Sequence, residues 1–92
     1  MITVNEYFAG KIKSLGFELH GTQYTTGVML PGEYSIKTEK EEHITVTVGG
    51  FEIRPPGLDW KTARIGDTIV IPANSTFDVK VNEPVSYTCM YR

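Results

Sequence analysis

The chain has 92 residues, 40% of them hydrophobic and 22% charged, with a formal net charge of −2. That length supports one modest core burying roughly 60 to 65% of the unfolded surface, so residues 1–92 are expected to be a single domain. The charge argues against a dedicated nucleic-acid binder and the composition against disorder or a disulfide scaffold, while no apolar run approaches the ~18 residues of a membrane helix.

In chain order, the segment from Asn5 to Phe17 carries aromatic residues beside glycines, with Lys11 and Lys13 one residue apart. In a strand these two lysines share a face. They read either as an edge whose charge discourages unwanted pairing or as a cationic site for an anion. Phe17 to Gly21 alternates and then turns, and Tyr24 to Leu30 is strand-like. Pro31-Gly32 fits the centre of a type II turn, which predicts a hairpin returning through Glu33 to Lys37. The charged run from Glu39 to His43 reads as a solvated loop or hairpin end.

Ile44 to Val48 alternates strictly, and Gly49-Gly50 predicts a tight hairpin into Phe51 to Arg54. Pro55 to Asp59 is an irregular connection, and Trp60 to Ile65 is a further short strand. A turn at Gly66-Asp67 launches Thr68 to Ile71, which Pro72 ends because it has no N–H to give a ladder. Ala73 to Ser75 turn the chain into Thr76 to Val81, where Phe77, Val79 and Val81 take one face. Glu83-Pro84 is another turn, and Val85 to Tyr91 places Val85, Tyr87, Cys89 and Tyr91 together. Nine or ten short strands and no helical periodicity predict an all-β barrel or sandwich.

Local spacing gives no enzyme. His20 and His43 lie 23 positions apart with no metal-ligand motif and read as surface residues. Cys89, the one cysteine, sits on an apolar face as a small hydrophobe, with no internal disulfide partner. Met1 to Glu6 lacks the basic and long apolar regions of a signal peptide, so a cytoplasmic location is expected.

The spacing from Gly66 to Phe77, glycine, five residues, proline, resembles the second sequence motif of the cupins, double-sheet jelly-roll β-barrels. Asn74 stands where that motif has glycine, and it too tolerates a left-handed turn. Phe77 stands where a metal-binding histidine belongs. The first motif, begun at Gly32, puts Thr38 and Lys40 at its histidine positions and Glu42 at its glutamate. The resemblance therefore implies a cupin-like double-stranded β-helix whose pocket has lost its metal.

A closer match covers essentially the whole chain. Asn-Glu-Tyr-Phe-x-Gly-Lys-x-Lys-Ser-x-Gly-Phe from Asn5, Gly-Val-Met-x-x-Gly-Glu-Tyr from Gly27, Asp59-Trp60, Pro72-x-x-Ser75-x-Phe77, Glu83-Pro84 and Tyr87-x-Cys89-x-Tyr91 are similar to the small cupin-type pyrimidine/purine nucleoside phosphorylases. The resemblance implies reversible cleavage of nucleosides by inorganic phosphate to ribose 1-phosphate and free base, with no metal or other cofactor, by a homodimer. The alternatives are a metal-free cupin that binds a sugar or nucleoside unchanged, and a structural or regulatory protein.

Phosphorolysis builds positive charge on the sugar while phosphate approaches the face opposite the base. Lys11 and Lys13, within the matched N-terminal string, are the expected phosphate ligands, with Arg54, Arg64 and Arg92 weaker candidates. Glu42 is the expected catalytic carboxylate, preferred over Glu33, which alternation points away from the face of Tyr34, Ile36 and Thr38. Tyr34, Phe77, Tyr87 and Tyr91 are candidates to hold the base by its flat face, and Thr38 to bond a sugar hydroxyl.

Overall fold

The computed structural model describes residues 1–92, with ten β-strands and no helix. In order these are β1 (Thr3–Tyr7), β2 (Ile12–Leu19), β3 (Thr22–Met29), β4 (Gly32–Lys37), β5 (Glu42–Val48), β6 (Gly50–Arg54), β7 (Lys61–Arg64), β8 (Thr68–Ile71), β9 (Thr76–Val81) and β10 (Val85–Tyr91). Six form an antiparallel sheet in the order β1-β2-β3-β10-β5-β8, and four form a second in the order β4-β9-β6-β7. The all-β expectation holds.

Local alternation sets each strand's buried face. In β9, Phe77, Val79 and Val81 are buried while Thr76, Asp78 and Lys80 face outward, and β10 buries Val85, Tyr87 and Cys89. Ile53, Ala63 and Ile71, all wholly inaccessible to solvent, join them in one cluster between the sheets. Pro72 ends β8 as expected, and Asn74 turns the chain at φ +53°. His20 and Gly21, at φ +50° and +80°, make the two-residue β2–β3 turn in the left-handed conformations that match strand twist.

Two predicted hairpins do not form. After Pro31-Gly32 the chain leaves the six-stranded sheet and enters the four-stranded one, where β4 pairs with β9 through Tyr34 opposite Val79 and Ile36 opposite Phe77. The Tyr34 hydroxyl fastens this corner by donating to the Leu30 carbonyl at 2.6 Å. Gly49-Gly50 likewise carries the chain from β5 in one sheet to β6 in the other. A Cβ on Gly49 would lie 2.9 Å from the Pro84 carbonyl oxygen, and one on Gly50 would lie 2.8 Å from that of Ala63. Both glycines serve close backbone approach at a crossing, a requirement that looks the same in sequence as a hairpin turn.

The charged run is also only partly a loop. Glu42 and His43 belong to β5 and are half-buried, since Met90 and Tyr91 of β10 and Val70 and Ile71 of β8 flank them on either side.

On the outer face of the four-stranded sheet, Arg54 and Asp78 are register partners, and the guanidinium donates to one carboxylate oxygen through Nε at 3.1 Å and Nη2 at 2.6 Å. The Ser35 hydroxyl and that guanidinium hold the Asp78 carboxyl below the usual carboxylate range. Trp60 lies between Arg54 and Lys80, 4.9 and 4.3 Å from its ring centroid. Arg54 is thereby committed to an outer surface network.

Gly49→Ala combines the left-handed strain of φ +80° with the approach to Pro84. It is expected to destabilise the fold by about 2 to 3 kcal/mol, measured as a lower urea midpoint at unchanged slope. A midpoint within error of the parent contradicts the crossing described here.

Candidate active site

The two sheets approach closely where β10 meets β6 and β5 meets β7. Away from that seam, between the inner face of β1, β2 and β3 and the β4 end of the smaller sheet, lies a cavity of about 620 Å³. Its volume is in the range of small-molecule sites, and half of its eighteen lining residues are hydrophobic.

Alternation aims Asn5 and Tyr7 of β1, Ser14 of β2, and Gln23 and Thr25 of β3 at this space. A face serving only as core would be apolar here. The polar groups also order one another: the Asn5 amide donates to Ser14 Oγ at 3.2 Å, and the Thr25 and Tyr91 hydroxyls lie 3.1 Å apart. A Cβ on Gly27 would be 2.8 Å from the Tyr87 hydroxyl and 2.9 Å from Ser14 Cβ, so glycine gives the Tyr87 phenol its place.

At the rim, Phe8 and Ala9 adopt φ +54° and +56° in the β1–β2 turn, a conformation costly for side chains with a Cβ. The Phe8 ring is held against Tyr34, 4.9 Å between centroids, while its exposed side borders the cavity.

Four of the sequence candidates meet at the cavity: Glu42, Phe77, Tyr87 and Tyr91. Glu42 has no cationic partner. Burial pushes its carboxyl above the ordinary value of 4.5, opposed by a hydrogen bond donated by the Cys89 thiol at 3.6 Å from Oε1. Burial, with the charge of Glu42 adding, pushes that thiol up to about 12, so it stays protonated near neutrality and acts as a donor. The Tyr87 phenol is pushed up to about 12 and that of Tyr91 is also raised, in both cases chiefly by burial. The cavity therefore contains neutral hydroxyls around one desolvated carboxyl without a cation, which makes Glu42 a functional-site candidate.

The other candidates lie elsewhere. Lys11 belongs to the β1–β2 turn, while Lys13 points from the outer face of β2 and pairs with Glu6, its register partner, at 3.4 Å. Neither lines the cavity. The shared face expected of two lysines in one strand does not apply, because Lys11 lies outside β2. Tyr34 is buried at the β3–β4 corner. Thr38 donates to the Pro72 carbonyl at 2.8 Å and accepts from the Ser75 amide at 3.0 Å, tying the end of β4 to the β8–β9 turn. Both have inward parity, but their positions along the strand set them against other parts of the protein. His43 lies 2.7 Å from Glu41, and no three His, Cys, Asp or Glu side chains converge as metal ligands would.

A sequence profile described as pyrimidine/purine nucleoside phosphorylase matches residues 2–91. The chain belongs to the pyrimidine/purine nucleoside phosphorylase family. Relatives of that name include one from Photobacterium profundum, 41% identical over 99% of both chains, and one from Pectobacterium carotovorum, 45% identical over 99% of both. A crystal structure of a protein of unknown function from Vibrio parahaemolyticus superposes with a TM-score of 0.95 at 41% identity, over 100% of this chain and 99% of that one. The EutQ protein of Clostridium difficile, at 18% identity and a TM-score of 0.74 over 87% of this chain and 66% of that one, shares the fold.

For a pyrimidine/purine nucleoside phosphorylase, the residues that sequence reasoning missed are informative. Asn5, Tyr7, Ser14, Gln23 and Thr25 all line the cavity, as do Lys37 and Lys40. The signal for the first five was polar side chains recurring at inward period-two positions.

The folded-state pKa of Glu42 is raised, so the folded protein holds that proton more tightly than the unfolded chain, and stability falls as pH rises above the ordinary carboxyl value. Glu42→Gln removes the buried charge and is expected to raise Tm at pH 7 by about 2 to 5 °C, with the gap closing toward pH 4. A variant melting below the parent at pH 7 contradicts this account of Glu42.

Proposed function

We propose that this chain cleaves the C1′–base bond of both purine and pyrimidine nucleosides with inorganic phosphate, reversibly and without a metal or other cofactor. The observation that carries the reading is the family match over residues 2–91, joined to a cavity of nucleoside-accommodating size. We further propose that residues 1–92 form one cupin-like jelly-roll domain, a reading supported by the repeated crossing of the chain between its two sheets.

In the reaction a phosphate oxygen attacks C1′ as the C1′–N bond breaks, and the electron pair of that bond goes to the base nitrogen. The proton lost by hydrogen phosphate balances the one the base takes up, leaving ribose 1-phosphate and free base. Positive charge gathers on the sugar meanwhile. Glu42, with no cation to neutralise it, is the group that stabilises this charge or holds the ribose hydroxyls. Phe77, Tyr87 and Tyr91 supply aromatic surface for the base. Recognition by the ring face is indifferent to which hydrogen-bonding edge the base carries, which suits a broad base range.

A homodimer acting in the cytoplasm completes the proposal. Val4, Leu15, Phe17, Leu19 and Val28 are exposed across the outer surface of β1 to β3, next to the free edge of β1, and a second copy would cover them. Cys89 is the one cysteine, free and buried, which fits a reducing compartment. No helix is long and apolar enough to cross a membrane.

Purified protein incubated with uridine or adenosine is expected to yield base and ribose 1-phosphate only when phosphate is present, equally with or without a chelator. Cleavage independent of phosphate, or no cleavage of either nucleoside, refutes the reading, and loss of activity in chelator refutes the metal-free part. Phe17→Glu is expected to shift the protein from dimer to monomer in sedimentation velocity, and a parent protein already monomeric at micromolar concentration removes the dimer.

A further inference from the structure

We infer that Lys37 and Lys40 form the subsite for the attacking phosphate, an assignment that rests on the phosphorolysis reading above. The chain has nine lysines and arginines, and these two alone line the cavity. The best-placed competitors are engaged elsewhere: Lys13 with Glu6, Arg54 with Asp78, and Lys80 over Trp60. Lys37 and Lys40 have no carboxylate partner, so their charge is free for an anion.

Their placement follows from the topology. β4 is the edge strand of the smaller sheet, and Lys37 is its last residue, while Lys40 stands in the connection that leads to β5. Lys37 has outward parity, but its long apolar stem can follow the open edge and carry the ammonium to the cavity mouth, behaviour common for lysine. Both side chains are exposed, so neither cation bears a large desolvation cost before the anion arrives.

Charge at the mouth supports the assignment. Glu39 lines the same rim, and with the two lysines it leaves a net positive charge there, whereas Glu42 lies deeper beside Cys89. The sugar then lies between an anion at the β4 rim and the carboxyl and aromatic rings of β5, β9 and β10, the separation that attack opposite the leaving base requires.

The test is steady-state phosphorolysis of uridine with phosphate varied, together with calorimetric titration of inorganic phosphate into nucleoside-free protein. Lys40→Ala is expected to raise the phosphate KM about tenfold, and the Lys37→Ala/Lys40→Ala double variant further, with the uridine KM within about twofold of the parent. Lys40→Arg, keeping the charge, should retain most phosphate affinity. Both lysines are exposed and make no salt bridge, and an unchanged urea midpoint verifies that folding is intact. An active parent whose double variant keeps its phosphate KM overturns the subsite, as does a Lys13→Ala effect equal to that of Lys40→Ala. If the parent cleaves nothing, the phosphorylase reading fails by itself, and the titration still decides: phosphate binding lost in the double variant supports the subsite, and binding unaltered or absent from the parent overturns it.

Discussion

Six strands facing four is the constraint on which the site depends. At a strand spacing near 4.8 Å the larger sheet is wider by roughly 10 Å, and that excess must face something other than a partner sheet. Here β1, β2 and β3 turn their inner faces toward open space near β4, so side chains whose alternation would normally commit them to a core line a hollow instead. Asn5, Ser14, Gln23 and Thr25 are tolerable on such a face because water or a ligand can complete their hydrogen bonds. Were the sheets equal in width, the same residues would be a defect.

The rest of the molecule is organised to keep that hollow open. The core cluster of Ile53, Ala63, Ile71 and Val79 joins the sheets firmly on one side, and Gly49-Gly50 permits the close crossing there. On the other side the supports are smaller: a hydroxyl of Tyr34 on the Leu30 carbonyl, a hydroxyl of Thr38 on the Pro72 carbonyl, and the strained Phe8 turn leaning on Tyr34. Rigid packing beside a polar hollow is the usual division of labour in a protein that binds a small molecule, since precision at the site depends on groups that do not touch the ligand.

Electrostatics divides along the same lines. Ion pairs such as Arg54 with Asp78 and Lys13 with Glu6 lie on outer surfaces, where water screens them and each contributes little to stability. Within the cavity Glu42 is left without a cation, at a cost the fold bears. A carboxyl buried this way is poorly solvated until positive charge develops beside it, the circumstance in which it would act on an oxocarbenium-like sugar.

Sequence alone determined most of the strands and the buried side of those it marked, because alternation, proline and the turn residues act over a few positions; the turn that separates β1 from β2 and the start of β5 at Glu42 were not legible there. Pro72 ends β8 and Asn74 turns the chain for reasons visible in a dozen residues. The family resemblance was legible too, as were Glu42, Phe77, Tyr87 and Tyr91 as inward groups. What lay opposite each inward face was not. Tyr34 and Tyr87 have the same parity, yet one seals a corner and the other lines the cavity. Lys13 and Lys40 are both exposed lysines, yet only one borders the hollow. Pro31-Gly32 and Gly49-Gly50 had the composition of hairpin turns and became crossings, since the strands that follow them, β4 and β6, both pair with β9, a segment well beyond the reach of local signals. Period two fixes the direction of a side chain, and only the assembled sheets decide whether that direction leads to core, cavity or solvent.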